Sequence, residues 1–420
     1  MQPLFSAEVE NRIRAEAYSL DQQERPKEVV YCKKCVISNQ RPRIVFDEEG
    51  VCSACRFMEQ YHNEVDWAVR EAQLKKLCDR YRRDDRWDCI VPASGGKDSS
   101  SVAWKLKHDF NMNPLLVKFG PFLYTDIGQK NWEAVNLAGF DTMEFRPSGT
   151  GHRKLARLAF EYLGDAFQPF VYGQLAYPMH MAVKFGIPLV FGAENAEACY
   201  GGDPSANHKP RWEQNDWERI YLKGAGVDRL LAVGLDLGVF TEADVNHLAP
   251  FYRMPELNPS AALAPEYHWL AYYLKHWPQA NYYLAAEKCG FQANPERSES
   301  TFSRYASLDD RLDGAHYWFS WLKFGIGRAV SDAAHEIRDQ DRTREEALAL
   351  VERYDGEFPR KYHEEMLEYL GLDEEQFCRV VERFNHSGVD WRAKMEQGLR
   401  RAVPRQNSAG SGNGLLALAG

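Results

Sequence analysis

The sequence predicts an α/β protein: a doubly wound parallel sheet of five strands, preceded by a cysteine knuckle and followed by a helical region. Three observations carry this. Short apolar runs alternate with helical stretches through residues 63–290, the pattern of β-α-β units. The first of those runs, Asp88-Cys89-Ile90-Val91-Pro92-Ala93, passes through Gly95-Gly96 straight into the helix-like Val102-Ala103-Trp104-Lys105-Leu106. Cys32-x-x-Cys35 and Cys52-x-x-Cys55 form two close pairs sixteen residues apart.

The elements follow in order. Residues 1–28 are charged, weakly patterned and read as a helical arm. Residues 29–62 form the knuckle, where each cysteine pair suits a tight turn and four thiolates close a tetrahedral shell. A structural Zn²⁺ is expected there, with an iron–sulfur cluster as the alternative. Cys78, Cys89, Cys199, Cys289 and Cys378 are scattered and read as inert thiols. Residues 63–83 suggest an amphipathic helix leading into the sheet. Further strands are expected at Pro114–Phe119, Thr142–Phe145, Ile187–Phe191 and Tyr267–Leu274. Helices are expected at Asn131–Leu137 and, as a pair, across 152–185. Residues 201–265 look like an insertion rich in Trp, Asn and Pro. Residues 291–402 read as mainly helical, with Thr343-x-x-Glu346 as a capping box and Pro359 as a break. The tail 403–420 has linker composition and is expected to be disordered.

Composition narrows the function. The 420 residues carry a net charge of −9, which argues against a general nucleic-acid binder. No apolar run reaches membrane-spanning length, and Met1–Phe5 lacks the pattern of a signal peptide. A cytoplasmic protein without membrane or nucleic-acid partners is expected.

The residues Ser94-Gly95-Gly96-Lys97-Asp98-Ser99-Ser100 suit an anion cradle. Adjacent glycines let the backbone aim successive N–H groups at a phosphate, and the helix N-terminus adds partial positive charge. Lys97 can supply a full charge, Ser94 and Ser99 hydroxyls, and Asp98 a ligand for Mg²⁺. The spacing is not that of a Walker A loop. Glu194, after the fourth strand, can hold Mg²⁺ or orient a substrate amide, or can be an ordinary capping acid. Glu296–Thr301 is a dense polar cluster. Asp332, His335 and Glu336 share one helix face and can bind a polar ligand or a metal, or simply form a salt-bridged surface.

The Ser94–Ser99 segment resembles the PP-loop of the ATP pyrophosphatases. With Tyr31-Cys32-x-x-Cys35, Phe46-Asp47-Glu48-x-Gly50-x-Cys52-x-x-Cys55, Glu194-Asn195, Tyr200-Gly201-Gly202 and Glu296-Arg297-Ser298-Glu299, the resemblance sharpens. Tyr305–Asp310, Lys323–Arg328, Ser331–Arg338 and Tyr354–Pro359 extend it. Over roughly residues 30 to 395 the chain is similar to the N-acetyl sugar amidotransferases of bacterial surface-polysaccharide biosynthesis, including the lipopolysaccharide O-antigen and pseudaminic-acid-pathway enzymes. That family commonly has Gly where this chain has Ser300.

The resemblance implies a HUP-like PP-loop fold. It implies conversion of an acetamido group on a UDP-linked sugar, a diacetamido uronic acid, to acetamidino, using ATP and Mg²⁺. It assigns ATP binding to Ser94, Gly95, Gly96, Lys97, Asp98, Ser99 and Ser100, and catalysis to Lys97, Asp98, Glu194 and His335. Glu194 or His335 is the candidate to accept a proton from ammonia. Asn195, Tyr200, Arg297, Glu299, Lys323, Arg328 and Asp332 are the implied sugar contacts, and 291–402 a substrate or partner domain. No Cys follows Met1 and no G-x-C-x-G elbow is present, so ammonia is expected from a separate glutaminase with a cyclase-like channel subunit. A tRNA-thiolating PP-loop enzyme and a non-catalytic zinc-knuckle scaffold are the competing expectations.

Overall fold

A computed structural model of the chain describes residues 4–16, 19–20, 24–213, 216, 220, 226–257 and 264–400. Its centre is a parallel sheet of β1 (Cys89–Pro92), β2 (Pro114–Phe119), β3 (Asp141–Phe145), β4 (Leu189–Gly192) and β5 (Glu266–Trp269), in the order β3-β2-β1-β4-β5. β1 and β2 are in register from Cys89 opposite Pro114, and β1 meets β4 at Cys89 opposite Leu189. The central strands are buried on both sides, so their sequences read as unbroken apolar runs. Ile90, Leu115 and Val117 face the helices Gly149–Leu163 and Gln168–Phe185. Cys89, Val91 and Leu116 face Trp67–Tyr81, Lys97–His108 and Pro278–Cys289. The chain winds one way from β1 to β3 and the other way to β4 and β5. β1 and β4 therefore flank a switch point, where the loops after both strands open a crevice.

The expected elements shift in a few places. The fifth strand ends at Trp269, and Leu270–Tyr273 is a short helix. β4 stops at Gly192, opposite Trp269, so no ladder partner exists further on. The helix expected from Asn131 begins at Asp126, capped by Thr125, whose hydroxyl accepts from the Gly128 N–H at 3.0 Å. In the arm, the helix Ala7–Ala15 buries Val9 and Ile13 in the sheet-side core. Two helices of the expected insertion, Gly226–Asp236 and Glu242–Leu248, join the same core through Leu230, Leu231 and Leu248. The tail 403–420 and parts of the insertion lie outside the described residues.

The C-terminal helices divide between two supports. Asp313–Phe324, His363–Leu370, Glu374–Phe384 and Trp391–Arg400 pack around Trp318, Phe358 and Phe377, against Phe160. Arg328–Arg338 and Arg344–Tyr354 pack instead on the cysteine knuckle, whose last cysteine lies in the helix Ser53–Asn63. The capping box at Thr343 and Glu346 opens the Arg344–Tyr354 helix. Among the described residues no helix is long and apolar enough to cross a membrane.

Candidate functional site

The turn after β1 is fixed from three sides. Gly95 has φ +85, and a Cβ there would lie 2.8 Å from the Trp132 backbone nitrogen. The Gly96 N–H donates to Ser94 Oγ at 3.2 Å, and Lys118 Nζ, from β2, donates to the Ser94 carbonyl at 2.9 Å. Lys118 is buried, with its ammonium over the rings of Tyr124 and Trp132; burial brings its pKa down to about 8. The helix Lys97–His108 then starts directly at the cleft. Ser94, Gly95, Gly96, Lys97 and Asp98 line that cleft, whose cavity volume is about 220 Å³. Ser99 and Ser100 do not. The Ser99 hydroxyl donates to the Gly96 carbonyl at 3.2 Å, and Ser100 is buried behind the loop.

Asp98 pairs with Lys97 and accepts from Asn281 Nδ2 at 3.1 Å. Burial acts to raise its pKa, but Lys97, His276 and Asn281 outweigh that and hold it at about 2. Across the switch point Glu194 behaves oppositely. Burial, then the Asp98 charge, push its pKa up to about 7. Neighbouring carboxylates are thus pulled apart, one a permanent anion and the other able to exchange a proton near neutrality.

The facing wall is the helix Arg328–Arg338, which presents Arg328, Asp332, His335 and Glu336 to the cleft. Arg328 pairs with Asp332 at 3.0 Å, and the Thr301 hydroxyl donates to Asp332 at 2.6 Å. The Tyr200 ring lies 4.8 Å from that of His335, whose pKa burial depresses well below its usual value. The helix N-terminus is capped by Asp355, which accepts from the N–H groups of Gly327 and Val330, both at 3.1 Å. Gly327 admits this cap, since a Cβ there would lie 2.5 Å from Asp355 Oδ1.

The cleft therefore collects Lys97, Asp98, Glu194, His335, Tyr200, Arg328 and Asp332 of the expected residues. Four others stand outside its lining. Asn195 caps the helix Ala196–Tyr200 and donates to the Ala206 carbonyl. Arg297 is tied to Glu357 by two hydrogen bonds of 2.6 and 2.8 Å. Glu299 accepts from the Lys361 N–H, and Lys323 donates to the Leu163 carbonyl at 3.0 Å. Ser300 has φ +62, the region that favours glycine, and is held there by bonds from its N–H and hydroxyl to Glu357. The cleft also contains His276 and Asp339, which no motif flagged. The available signal for His276 was position: it follows the fifth strand as Glu194 follows the fourth.

The four knuckle cysteines are buried, with sulfur atoms all within 4.8 Å of one another. Cys32 and Cys55 Sγ are 3.9 Å apart, and Cys35 and Cys52 Sγ 3.7 Å. One tetrahedral Zn²⁺ with bonds of about 2.3 Å needs edges of about 3.8 Å, so the donor set fits a single ion. The knuckle packs on the back of the cleft wall, sharing a core with Ile326, Val330 and Ala333. Arg43 pairs with Glu197 at 2.8 Å, and Arg344 donates to the Cys35 carbonyl at 3.2 Å.

Fold and site define an α/β protein whose glycine-turn loop faces a charged helix across a switch-point cleft. Residues 299–403, about a quarter of the chain, match the family model described as LPS biosynthesis protein WbpG-like, C-terminal domain. This segment contains the cleft-wall helix. No curated protein matches the chain.

Proposed function

We propose that this protein is an ATP-dependent amidotransferase of lipopolysaccharide O-antigen biosynthesis, converting an acetamido group of a UDP-linked N-acetyl sugar to acetamidino. One observation carries the reading. The Ser94 loop and the Arg328–Arg338 helix line a single cleft, and that helix lies in the segment similar to an LPS biosynthesis protein. A loop of this geometry suits a nucleotide phosphate, and the opposite wall suits a polar, hydroxyl-rich partner.

An amide carbonyl is a poor electrophile with a poor leaving oxygen. ATP supplies the remedy: the amide oxygen attacks the α-phosphorus, pyrophosphate leaves, ammonia attacks the imidate carbon, and AMP departs with the oxygen. The four hydrogens of ammonia and the amide become the three N–H of the amidinium and one released proton. The Ser94–Gly96 amides and Lys97 hold the phosphates. Asp98, whose pKa is held low, would supply an oxygen ligand for Mg²⁺, an ion that takes few protein carboxylates beside phosphate. Arg328, Asp332 and Tyr200 orient the sugar, and Glu194 takes the proton. Ammonia comes from a separate glutaminase through a cyclase-like subunit, zinc fills the knuckle as a structural ion, and the reaction runs in the cytoplasm.

The test is mass spectrometry of UDP-linked diacetamido uronic acids incubated with the protein, Mg-ATP and ammonium. Exchange of one oxygen for NH, with AMP and pyrophosphate formed, is expected. Intact ATP and sugar across a broad panel would sink the proposal.

A further inference from the structure

His276 lies between β5 and the helix Pro278–Cys289, with only 9% of its side chain exposed, and it lines the cleft. Asn281 fixes its tautomer. The Asn281 Oδ1 accepts from Ser101 Oγ at 2.9 Å and Lys105 Nζ at 3.3 Å, while its Nδ2 donates to Asp98. The same Nδ2 therefore faces His276 Nδ1, at 3.2 Å, as a donor. Nδ1 is an acceptor, and the proton of the neutral ring sits on Nε2. The charged and titratable groups facing it are Lys97, Asp98 and Lys105 of the loop helix, Glu194 after β4, and His335 of the cleft-wall helix.

Among the described residues the Nε2–H has no acceptor within hydrogen-bond reach. Glu194 Oε2 is 3.7 Å away and Asp98 Oδ1 3.9 Å. Gaps of this size are closed by a small bridging molecule in the cleft. Whatever bridges must accept from Nε2–H and donate to a carboxylate. An anion cannot donate to the carboxylates, and ammonium has no lone pair to accept with. A small neutral molecule with a lone pair and its own hydrogens satisfies both. The cleft carboxylates do not converge as a metal's ligands do; among the described residues the knuckle cysteines alone meet that condition.

We propose that His276 Nε2–H and Glu194 form the subsite that receives ammonia, the nucleophile, in neutral form. The inference rests on the amidotransferase reading and deepens it. The nitrogen lone pair turns from Nε2–H to the imidate carbon and forms the C–N bond. One N–H proton passes to the Glu194 carboxylate. The C–O bond then breaks, its electron pair leaving on AMP.

Two measurements test this. In long-range ¹H–¹⁵N spectra of the full chain labelled with ¹⁵N-histidine, His276, assigned by its loss in His276→Gln, shows the Nε2–H tautomer. Ammonium chloride at mildly alkaline pH shifts it saturably, and sodium chloride at equal ionic strength does not; no ammonium-specific shift overturns the subsite. With ammonium as sole nitrogen source, His276→Phe raises the KM for ammonium about ten-fold and leaves the KM for ATP within about two-fold, while His276→Gln recovers part of the loss. Equal rises in both constants overturn the subsite. An ammonium-specific shift without amidation of any sugar supports the subsite as an ammonia site and sinks the amidotransferase reading instead.

Discussion

Lys118 holds the Ser94 carbonyl from β2, 24 residues away in sequence. It does not line the cleft, so it is a positioning residue for the loop. Lys118→Met keeps most of the buried stem and removes the ammonium. It is expected to raise the KM for ATP about five- to ten-fold, with a melting temperature close to the parent's. An unchanged KM for ATP would show that the loop holds its shape without this contact. Glu194 makes a prediction of the opposite kind, about charge rather than shape. Burial and Asp98 lift its pKa to about 7. As a proton acceptor it works only when ionised, so below that pH the protonated form is inactive. With neutral ammonia held constant, the amidation rate should rise with pH through about 7 and level off above. Glu194→Gln should lower the rate and remove that limb, and a profile keeping the same limb in the variant would assign it to another group.

The cleft-wall helix Arg328–Arg338 is held in place by residues of the motifs that flank it. Gly327 admits the Asp355 cap, and Gly356, at φ +68, lies so close to Trp321 that a Cβ would sit 2.4 Å from its ring. Glu357 ties Arg297 and Ser300 to this frame. Asp355→Ala removes acceptors for two helix N–H groups and should cost about 1–2 kcal/mol of stability. It should also raise the KM for the sugar more than that for ATP, read by denaturant melts and steady-state kinetics. A parallel rise in both would mean that the cap serves the whole fold and not the wall. The sequence made the strands and the capping box legible because burial on both faces and S/T-x-x-E spacing are local signals. It left the end of β5 ambiguous, because Leu270–Tyr273 is as apolar as a strand and only the length of β4 decides where pairing stops. Roles for Arg297 and Lys323 were out of reach for a related reason: their partners Glu357 and Leu163 lie 60 and 160 residues away.

At the scale of the molecule, the parallel five-stranded sheet and the knuckle were each legible, but their joint use was not. Alternating strands and helices imply the parallel sheet, but that the loops after β1 and β4 meet follows from the strand order, in which these two strands are neighbours. That the knuckle stands behind the cleft depends on contacts such as Arg344 to Cys35, 309 residues apart, which no local pattern encodes. Cys32, Cys35, Cys52 and Cys55 share one buried core with Ile326, Val330, Ala333 and Ala334 of the wall. Metal held by the four sulfurs would therefore fix the wall as well as the knuckle. Four buried thiolates without a cation repel one another, so removing the metal should loosen that core first. Stripping it with a chelator is expected to lower the melting temperature. Amide hydrogen exchange should then rise at least about ten-fold in Arg328–Arg338, and little in Lys97–His108, whose core lies on the sheet. Equal loss of protection in both helices would instead make the ion a support of the entire fold, and unchanged protection in Arg328–Arg338 would separate the knuckle from the cleft.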